Sequence, residues 1–366
     1  MPRGAPNAAQ AAFEFSRISC FLSINPHIVD TLYRAYGLSI SSNIPILGLL
    51  TDPASRERTD LKLEIGAEPE WVSRALRLPS FCYHQLPAEP LTEDPAFIVT
   101  ALGAMEFFAL TYTDGTSFVV DAAGTKVWGT WTPPLVLEDL VTYLLGPVMG
   151  FVLRRRGVTP LHASAVSFGG RAIVLTGAAQ AGKSTTAAAL ALLGVPVLCE
   201  DVAALKESTT GFSVEAGYPR VCVWPDTVQK LLGEEDALPR LTPNWEKRFL
   251  ALDGVRAKFE ADRLPLGAVY LFAPRTAQSD APRVEELGPR EALLELVQNT
   301  YMNWLLDRKQ RAEEFDLLAR LAARVPVRRI VPHQDATRLG MMCELLLADA
   351  SRVCAEGRAE AEVPGD

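Results

Sequence analysis

Three groups of residues in this chain can carry chemistry, and they lie within forty positions of one another: His162, the run Gly177-Ala-Ala-Gln-Ala-Gly-Lys-Ser184 with Thr185 behind it, and the acidic pair Glu200-Asp201. The run reads G-x-x-x-x-G-K-S, the spacing of a loop whose backbone N–H groups cradle the phosphates of a nucleoside triphosphate. Gly177, Ala178, Ala179, Gln180, Ala181 and Gly182 form the cradle. Lys183 is a point charge for the β- and γ-phosphates, Ser184 is placed for Mg²⁺, and Thr185 can reach an α- or β-phosphate. A triphosphate carries too much charge to meet a second nucleophile without a metal, and Mg²⁺ keeps its waters and takes one or two carboxylates. Glu200 and Asp201, 17 and 18 residues after Lys183, supply them where ligands of open α/β sheets bind, at the C-terminal end of a strand. Adjacent strand residues point to opposite faces, so one acid is expected to face the Mg²⁺–phosphate site more directly. The order of roles within the pair is left open.

His162 sits at the start of a strand that hairpins onto the loop strand. A lone histidine there is structural more often than not, but it can also orient an acid or an incoming hydroxyl. Arg220, Lys247 and Arg248 are further cations of interest, because phosphoryl transfer spreads negative charge over oxygens that a guanidinium or ammonium can stabilise. Each reads equally well as a surface charge.

The surrounding pattern gives the elements that hold these groups. Arg171-Ala-Ile-Val-Leu-Thr176 is a buried strand, and Ser184-Thr-Thr-Ala-Ala-Ala-Leu-Ala-Leu-Leu193 a helix capped by Gly194. The N–H groups and positive dipole end of that helix face the phosphates. Leu161-His-Ala-Ser-Ala-Val-Ser-Phe168 with Gly169-Gly170 reads as the preceding hairpin arm, and residues 195–201 as the next strand, with the acids at its end. Residues 266–272 and 325–331 read as strands, and 291–306, 312–323 and 337–354 as helices. Upstream, 61–65 alternates as a half-buried strand, 107–112, 117–121 and 125–131 are separated by turn signals and form hairpins, and 26–36 reads as a short helix or turn.

The expected organisation is a flexible arm (1–28), a β-rich N-terminal domain (29–134), a connecting helix (135–156), an ATP-binding catalytic domain (157–350) and an acidic disordered tail (351–366). The helix is apolar over 140–153, too short to span a bilayer, with a kink expected at Gly146-Pro147 and a solvated end at Arg154-Arg155-Arg156. A net charge of −8 argues against a nucleic-acid partner, whose phosphates need a basic surface. Six cysteines without C-x-x-C spacing, and a first ten residues without an apolar core, fit a cytoplasmic protein without a structural zinc.

The L-H-A-S motif, the glycine hairpin, the G-x-x-x-x-G-K-S-T loop and a strand ending in two acids together resemble the catalytic domain of HPr kinase/phosphorylase. That domain is itself similar to a P-loop version of the phosphoenolpyruvate carboxykinase core. The resemblance covers about residues 156–345 and implies an α/β fold whose strand-end aspartate takes the proton of a protein serine, with His162 functional and the second acid and loop serine near the metal. Tyr36-Gly-Leu-Ser-Ile40, Ile44-Pro-Ile-Leu-Gly-Leu49, residues 144–157, Gly217-Tyr-Pro-Arg220 and Leu241-Thr-Pro-Asn-Trp-Glu-Lys-Arg248 make the whole chain look most like the HPr-kinase-related proteins of lasso-peptide clusters. Members of that group phosphorylate the C-terminal serine of a precursor peptide.

Two departures stand out. Glu200 replaces the first aspartate of the usual pair, and no Arg-Gly-x-Gly stretch accompanies it, so a reverse phosphorylase reaction is not expected. The resulting expectation is an ATP- and Mg²⁺-dependent serine kinase acting on a peptide or small protein, with a homo-oligomer left open. The alternatives are a P-loop kinase of a small-molecule hydroxyl and a catalytically weak nucleotide-binding regulator.

Overall fold

Alternating burial builds the first of two large sheets. In Leu61-Lys-Leu-Glu-Ile65, Leu61, Leu63 and Ile65 are buried while Lys62 points to solvent, as a strand with one covered face requires. The computed structural model describes residues 30–53, 59–86 and 96–359. The expected N-terminal arm and residues 360–366 of the expected tail lie outside the described residues.

The first sheet has nine strands: β1 (Thr31–Ala35), β2 (Leu38–Ser42), β3 (Leu50–Thr51), β4 (Leu61–Ile65), β5 (Ser80–Gln85), β6 (Phe97–Leu102), β7 (Phe107–Tyr112), β8 (Ser117–Asp121) and β9 (Lys126–Thr130). Their spatial order is β3-β1-β2-β4-β9-β8-β7-β6-β5. The β6 to β9 meander is antiparallel, whereas β2–β4 and β4–β9 are parallel. The expected helix or turn at 26–36 is corrected over its described part. Thr31–Ala35 is a strand paired with β2, and only Tyr36-Gly37, both at positive φ, forms the turn. A two-residue turn of that hand suits a hairpin, and the pairing overrides the weak helical spacing.

The chain then crosses through α2 (Leu137–Tyr143), following α1 (Glu70–Leu76), into a π-helical turn (Leu144–Val148) and α3 (Met149–Arg155). The widened turn holds Pro147 where the kink was expected, since a proline cannot donate to the helical ladder. Leu140, Leu144, Leu145, Val148, Met149 and Val152 are fully buried in one cluster with the nine-stranded sheet and with Val202, Ala204, Tyr218 and Leu305. Burying each such side chain contributes about 1.5–3 kcal/mol. From Thr31 onward the described residues form one compact unit.

The three arginines are not a solvated helix end. Arg154 is buried and ion-paired with Glu314, and it also donates to the Tyr301 carbonyl. Arg155 donates to the Ala122 carbonyl, and Arg156 to the carbonyls of Asp60 and Gly124. Guanidinium groups with several donors satisfy backbone carbonyls that the crossing helix would otherwise leave dry.

The second sheet surrounds the phosphate loop. Its strands are β10 (Thr159–Phe168), β11 (Arg171–Gly177), β12 (Val197–Cys199), β13 (Val202–Ser208) and β14 (Gly211–Val214), then, beyond a separate ribbon of β15 (Arg220–Val223) and β16 (Arg248–Ala251), β17 (Leu264–Phe272), β18 (Arg283–Glu286) and β19 (Val327–Val331). Pairings run β11-β10-β13-β14-β17 and close back on β11. β11 is parallel to β17 and β17 to β19, so their C-terminal ends, at Gly177, Phe272 and Ile330, lie side by side. The chain is therefore mixed α/β with two large sheets.

Helices α4 (Lys183–Leu192), α5 (Pro225–Leu232), α6 (Pro289–Gln298), α7 (Arg308–Arg324) and α8 (Leu339–Ala359) complete the fold. Two expectations shift here. The helix read over 291–306 stops at Gln298, and irregular chain carrying Tyr301 follows. The C-terminal helix runs on to Ala359, into the expected tail, because Val353 and Cys354 are buried against the second sheet's core.

Candidate functional site

The phosphate loop has the shape its glycines permit. Gly177 takes φ +147° and Gly182 φ +111°, values that residues with a Cβ rarely adopt. A Cβ on Gly177 would also lie 3.0 Å from the Cβ of Phe272, so glycine lets β11 pack closely on β17 just before the loop. Lys183 opens α4, and its side chain folds back so that Nζ donates to the carbonyls of Gly177 (2.9 Å) and Ala178 (3.0 Å). It is buried, and burial pulls its ammonium below the usual lysine range while Asp201 and Glu200 oppose that. A buried cation at the loop mouth whose hydrogen bonds go to two carbonyl oxygens is poised to exchange them for an anion.

Ser184 and Glu200 meet directly: the serine hydroxyl donates to Glu200 Oε1 at 2.7 Å. Glu200 is 5% exposed. Burial first, then the Asp201 charge, push its carboxyl above the ordinary range, against Lys247, the Ser184 hydroxyl and His162. Thr185, one position on, hydrogen-bonds with the hydroxyl of Thr227 at 3.2 Å. Beside it a cavity of about 120 Å³ opens, lined by Gly182, Thr185, Thr227, Arg275, His333 and Arg338.

The acids do not sit as alternating strand residues. The expected strand over 195–201 ends at Cys199, and a three-residue turn closes over the pair, Val202 N–H donating to Glu200 C=O at 2.8 Å. Asp201, at its centre, has φ +66°. Such a conformation costs about 1–3 kcal/mol in a residue other than glycine, with aspartate among the more tolerant. Glu200 meets the loop serine directly, while Asp201 turns to His162 and Tyr301 and reaches Lys183 through its charge, so one acid faces the loop more directly, as expected of the pair.

Asp201 is gripped from two sides. Its Oδ1 lies 3.2 Å from His162 Nδ1, and its Oδ2 accepts the Tyr301 hydroxyl at 3.1 Å. Its side chain keeps 29% exposure and that of His162 34%. Burial alone would raise the Asp201 carboxyl. The His162 hydrogen bond and charge, Lys247 and Tyr301 outweigh it and hold the group below the usual carboxylate range. His162 is fixed by strand pairing, its residue opposite Val202, and by its backbone N–H to Asn299 C=O.

The three further cations separate. Arg220 is buried with its guanidinium 5.1 Å from the Tyr218 ring, close to Gly48, and Glu200 is among the charges that keep it a cation. Lys247 lies 5.3 Å from the Trp224 ring and acts on both acids. Arg248 is turned to Asp236 and to the Glu246 carbonyl instead.

Tyr301 was not legible in the sequence. It stands a hundred residues from Asp201 in irregular chain, and its only local signal is an aromatic where a helix was expected to continue. Gly146 and Gly150 on the crossing helix make room for it: a Cβ would lie 2.9 Å from Asp201 Oδ2 at Gly146 and 2.5 Å from the Tyr301 ring at Gly150. Among the described residues, no three His, Cys, Asp or Glu side chains gather as a metal-binding group. A hydroxyl and a carboxylate already 2.7 Å apart beside the loop are nonetheless hard oxygen donors of the kind Mg²⁺ takes while keeping its waters. No described helix is long and apolar enough to cross a membrane.

No known family model matches this chain, and no curated protein matches it. Among solved structures it is similar to the HPr(Ser) kinase/phosphatase from Coxiella burnetii, at 15% identity and a TM-score of 0.29, over 55% of this chain and 95% of that one. A likeness that loose assigns a role to no residue.

Proposed function

We propose that this chain is an ATP- and Mg²⁺-dependent kinase that phosphorylates a serine or threonine hydroxyl on a peptide or small protein. The observation that carries the reading is the division of the acid pair by the turn at Asp201. One carboxylate is taken by the loop serine, and the other is held by His162 at a partly open position. A protein that only bound nucleotide would need the loop but no second acid held for proton transfer.

In this reading the amides of residues 177–182 and Lys183 hold the phosphates, and the cavity beside Thr185 takes the nucleoside end. Ser184 and Glu200 would hold Mg²⁺, which when bound neutralises charge on the phosphates. Asp201 accepts the proton of the acceptor hydroxyl as its oxygen bonds to the terminal phosphorus and the bond to the leaving ADP oxygen breaks. His162 orients Asp201 and offsets its charge. Lys247 and Arg220 add positive potential where the transferred group gains negative charge.

The extra methylene of Glu200 fits the metal side. It lets the carboxylate span to Ser184 from a backbone that turns away immediately afterwards. The acceptor most in keeping with the sequence resemblance is the C-terminal serine of a lasso precursor peptide.

The test is transfer of label from γ-labelled ATP with Mg²⁺ to serine-ending peptides. Label on the peptide, lost in Lys183→Ala and in Asp201→Asn, supports the kinase. Tight ATP binding without transfer to any peptide sinks it.

A further inference from the structure

We propose that Tyr301 is a positioning residue for this phosphoryl transfer, locking the carboxylate of Asp201 in the orientation that accepts the proton; this rests on the kinase reading above. An aspartate side chain has two soft torsions, and a base that swings misplaces its lone pairs. His162 restrains one oxygen of Asp201, which alone would leave the carboxylate free to rotate about that contact. The Tyr301 hydroxyl restrains the other, and lone pairs remain on both oxygens for the acceptor.

Tyr301 is itself held at every point needed to keep that hydroxyl still. Its N–H donates to Pro160 C=O at 2.8 Å. Its carbonyl accepts from Arg154 Nε at 2.9 Å and Nη2 at 2.7 Å. Arg154 is in turn buried against Glu314, so the clamp on the backbone has its own fixed support. The ring lies against Gly150 and 5.5 Å from the His162 ring. Burial, Asp201 and the other nearby tyrosines all raise the Tyr301 phenol well above its ordinary range, so it stays a proton donor.

A tyrosine serving only as core would need none of this. Its hydroxyl would be satisfied by any carbonyl, as that of Tyr36 is by Leu145. Here the chain leaves the helix at Gln298, anchors the following backbone with a buried arginine, and delivers the hydroxyl to Asp201, the carboxylate of the pair that stays partly exposed.

The test compares Tyr301→Phe with the unsubstituted protein in ATP–Mg²⁺ turnover, using a synthetic serine-ending peptide and, separately, water as acceptor. The ring stays and only the hydroxyl goes. Expected are a fall in kcat of about tenfold to a hundredfold, a KM for ATP within about twofold, and no further loss when Tyr301→Phe is added to Asp201→Asn, since residues acting as a unit are non-additive.

Gly146→Ala is a second route. Its methyl would press on Asp201 Oδ2 with Tyr301 intact, and alanine favours a helix. It should lower kcat in the same selective way. If Tyr301→Phe keeps kcat within about twofold, or raises KM for ATP in step, the positioning role is overturned while the kinase reading stands. If the unsubstituted protein turns over ATP with neither acceptor, the kinase reading falls and takes this role with it.

Discussion

The two halves of the site are built on opposite principles. On the phosphate side, Lys183 and Glu200 are buried, Ser184 is partly buried, and each is bonded to the loop or to one another, within a loop whose glycines and Gln180 take positive φ. On the acceptor side, Asp201 and His162 stay about a third exposed, and Asp201 sits in a strained turn gripped by groups from distant parts of the chain. The first half is largely local, a strand–loop–helix unit with its glycine loop, Lys183 and Ser184, joined by Glu200 from the end of the next strand. The second is an assembly of three segments, and it needs the crossing helix and the irregular chain after Gln298 to hold it.

Removing Lys183 gives the largest effect expected. Lys183→Ala deletes the buried cation of the phosphate side, and loss of one such electrostatic group costs about 3–4 kcal/mol. Turnover should drop by about two to three orders of magnitude, measured by label transfer, with ATP binding weakened as well.

Asp201→Asn strikes the other half. General-base loss should lower kcat by about a hundredfold or more with ATP affinity nearly unchanged. If both variants lose binding equally, the two halves are not functionally distinct.

Stability sharpens the contrast from another side. Glu200 has its folded pKa raised by burial and by Asp201. Its contribution to stability is therefore fully present below its unfolded value of about 4.3 and lost as pH rises through the folded one. Glu200→Gln should raise Tm at neutral pH by about 2 °C and change it little below about pH 4. Asp201 has the opposite sign. Its lowered folded pKa supports the fold above the unfolded value and is lost as pH falls through the folded one. Asp201→Asn should thus lower Tm at neutral pH, and thermal melts at the two pH values check both signs.

The smallest difference expected is between neighbours. Lys247→Ala, which removes a cation acting on both acids, should cut kcat by about tenfold. Arg248→Ala, whose partners are Asp236 and Glu246, should leave kcat within about twofold in the same assay.

What could be read in advance divides along the same line. The phosphate side was legible because its information is local: β11, the glycine loop and the Ala-rich helix are consecutive, and their spacing carries the geometry. The hairpin bringing His162 alongside was legible through Gly169-Gly170, and the β6 to β9 meander partly through its turns. The tight turn at Asp201 and the strand that resumes at Val202 were not, because a strand end read at the acids gives no sign of the positive φ that folds the chain straight back into a second apolar run, 202–205. Nor were the parallel pairings of β2, β4 and β9, or the approach of Tyr301. Those contacts join residues tens to a hundred positions apart and are decided by packing rather than by neighbours in sequence. The arginines after 153 were misread for the same reason, since their carbonyl and carboxylate partners lie on other segments.

The division of labour between the acids is the central claim, and calorimetric titration of ATP with and without Mg²⁺ into Glu200→Gln and Asp201→Asn tests it most directly, paired with label transfer by the same samples. The account predicts that Glu200→Gln loses the Mg²⁺-dependent tightening of ATP binding by about tenfold, while Asp201→Asn binds ATP–Mg²⁺ like the unsubstituted protein and transfers no label. The reverse pattern, with Mg²⁺ dependence lost in Asp201→Asn and kept in Glu200→Gln, would contradict it.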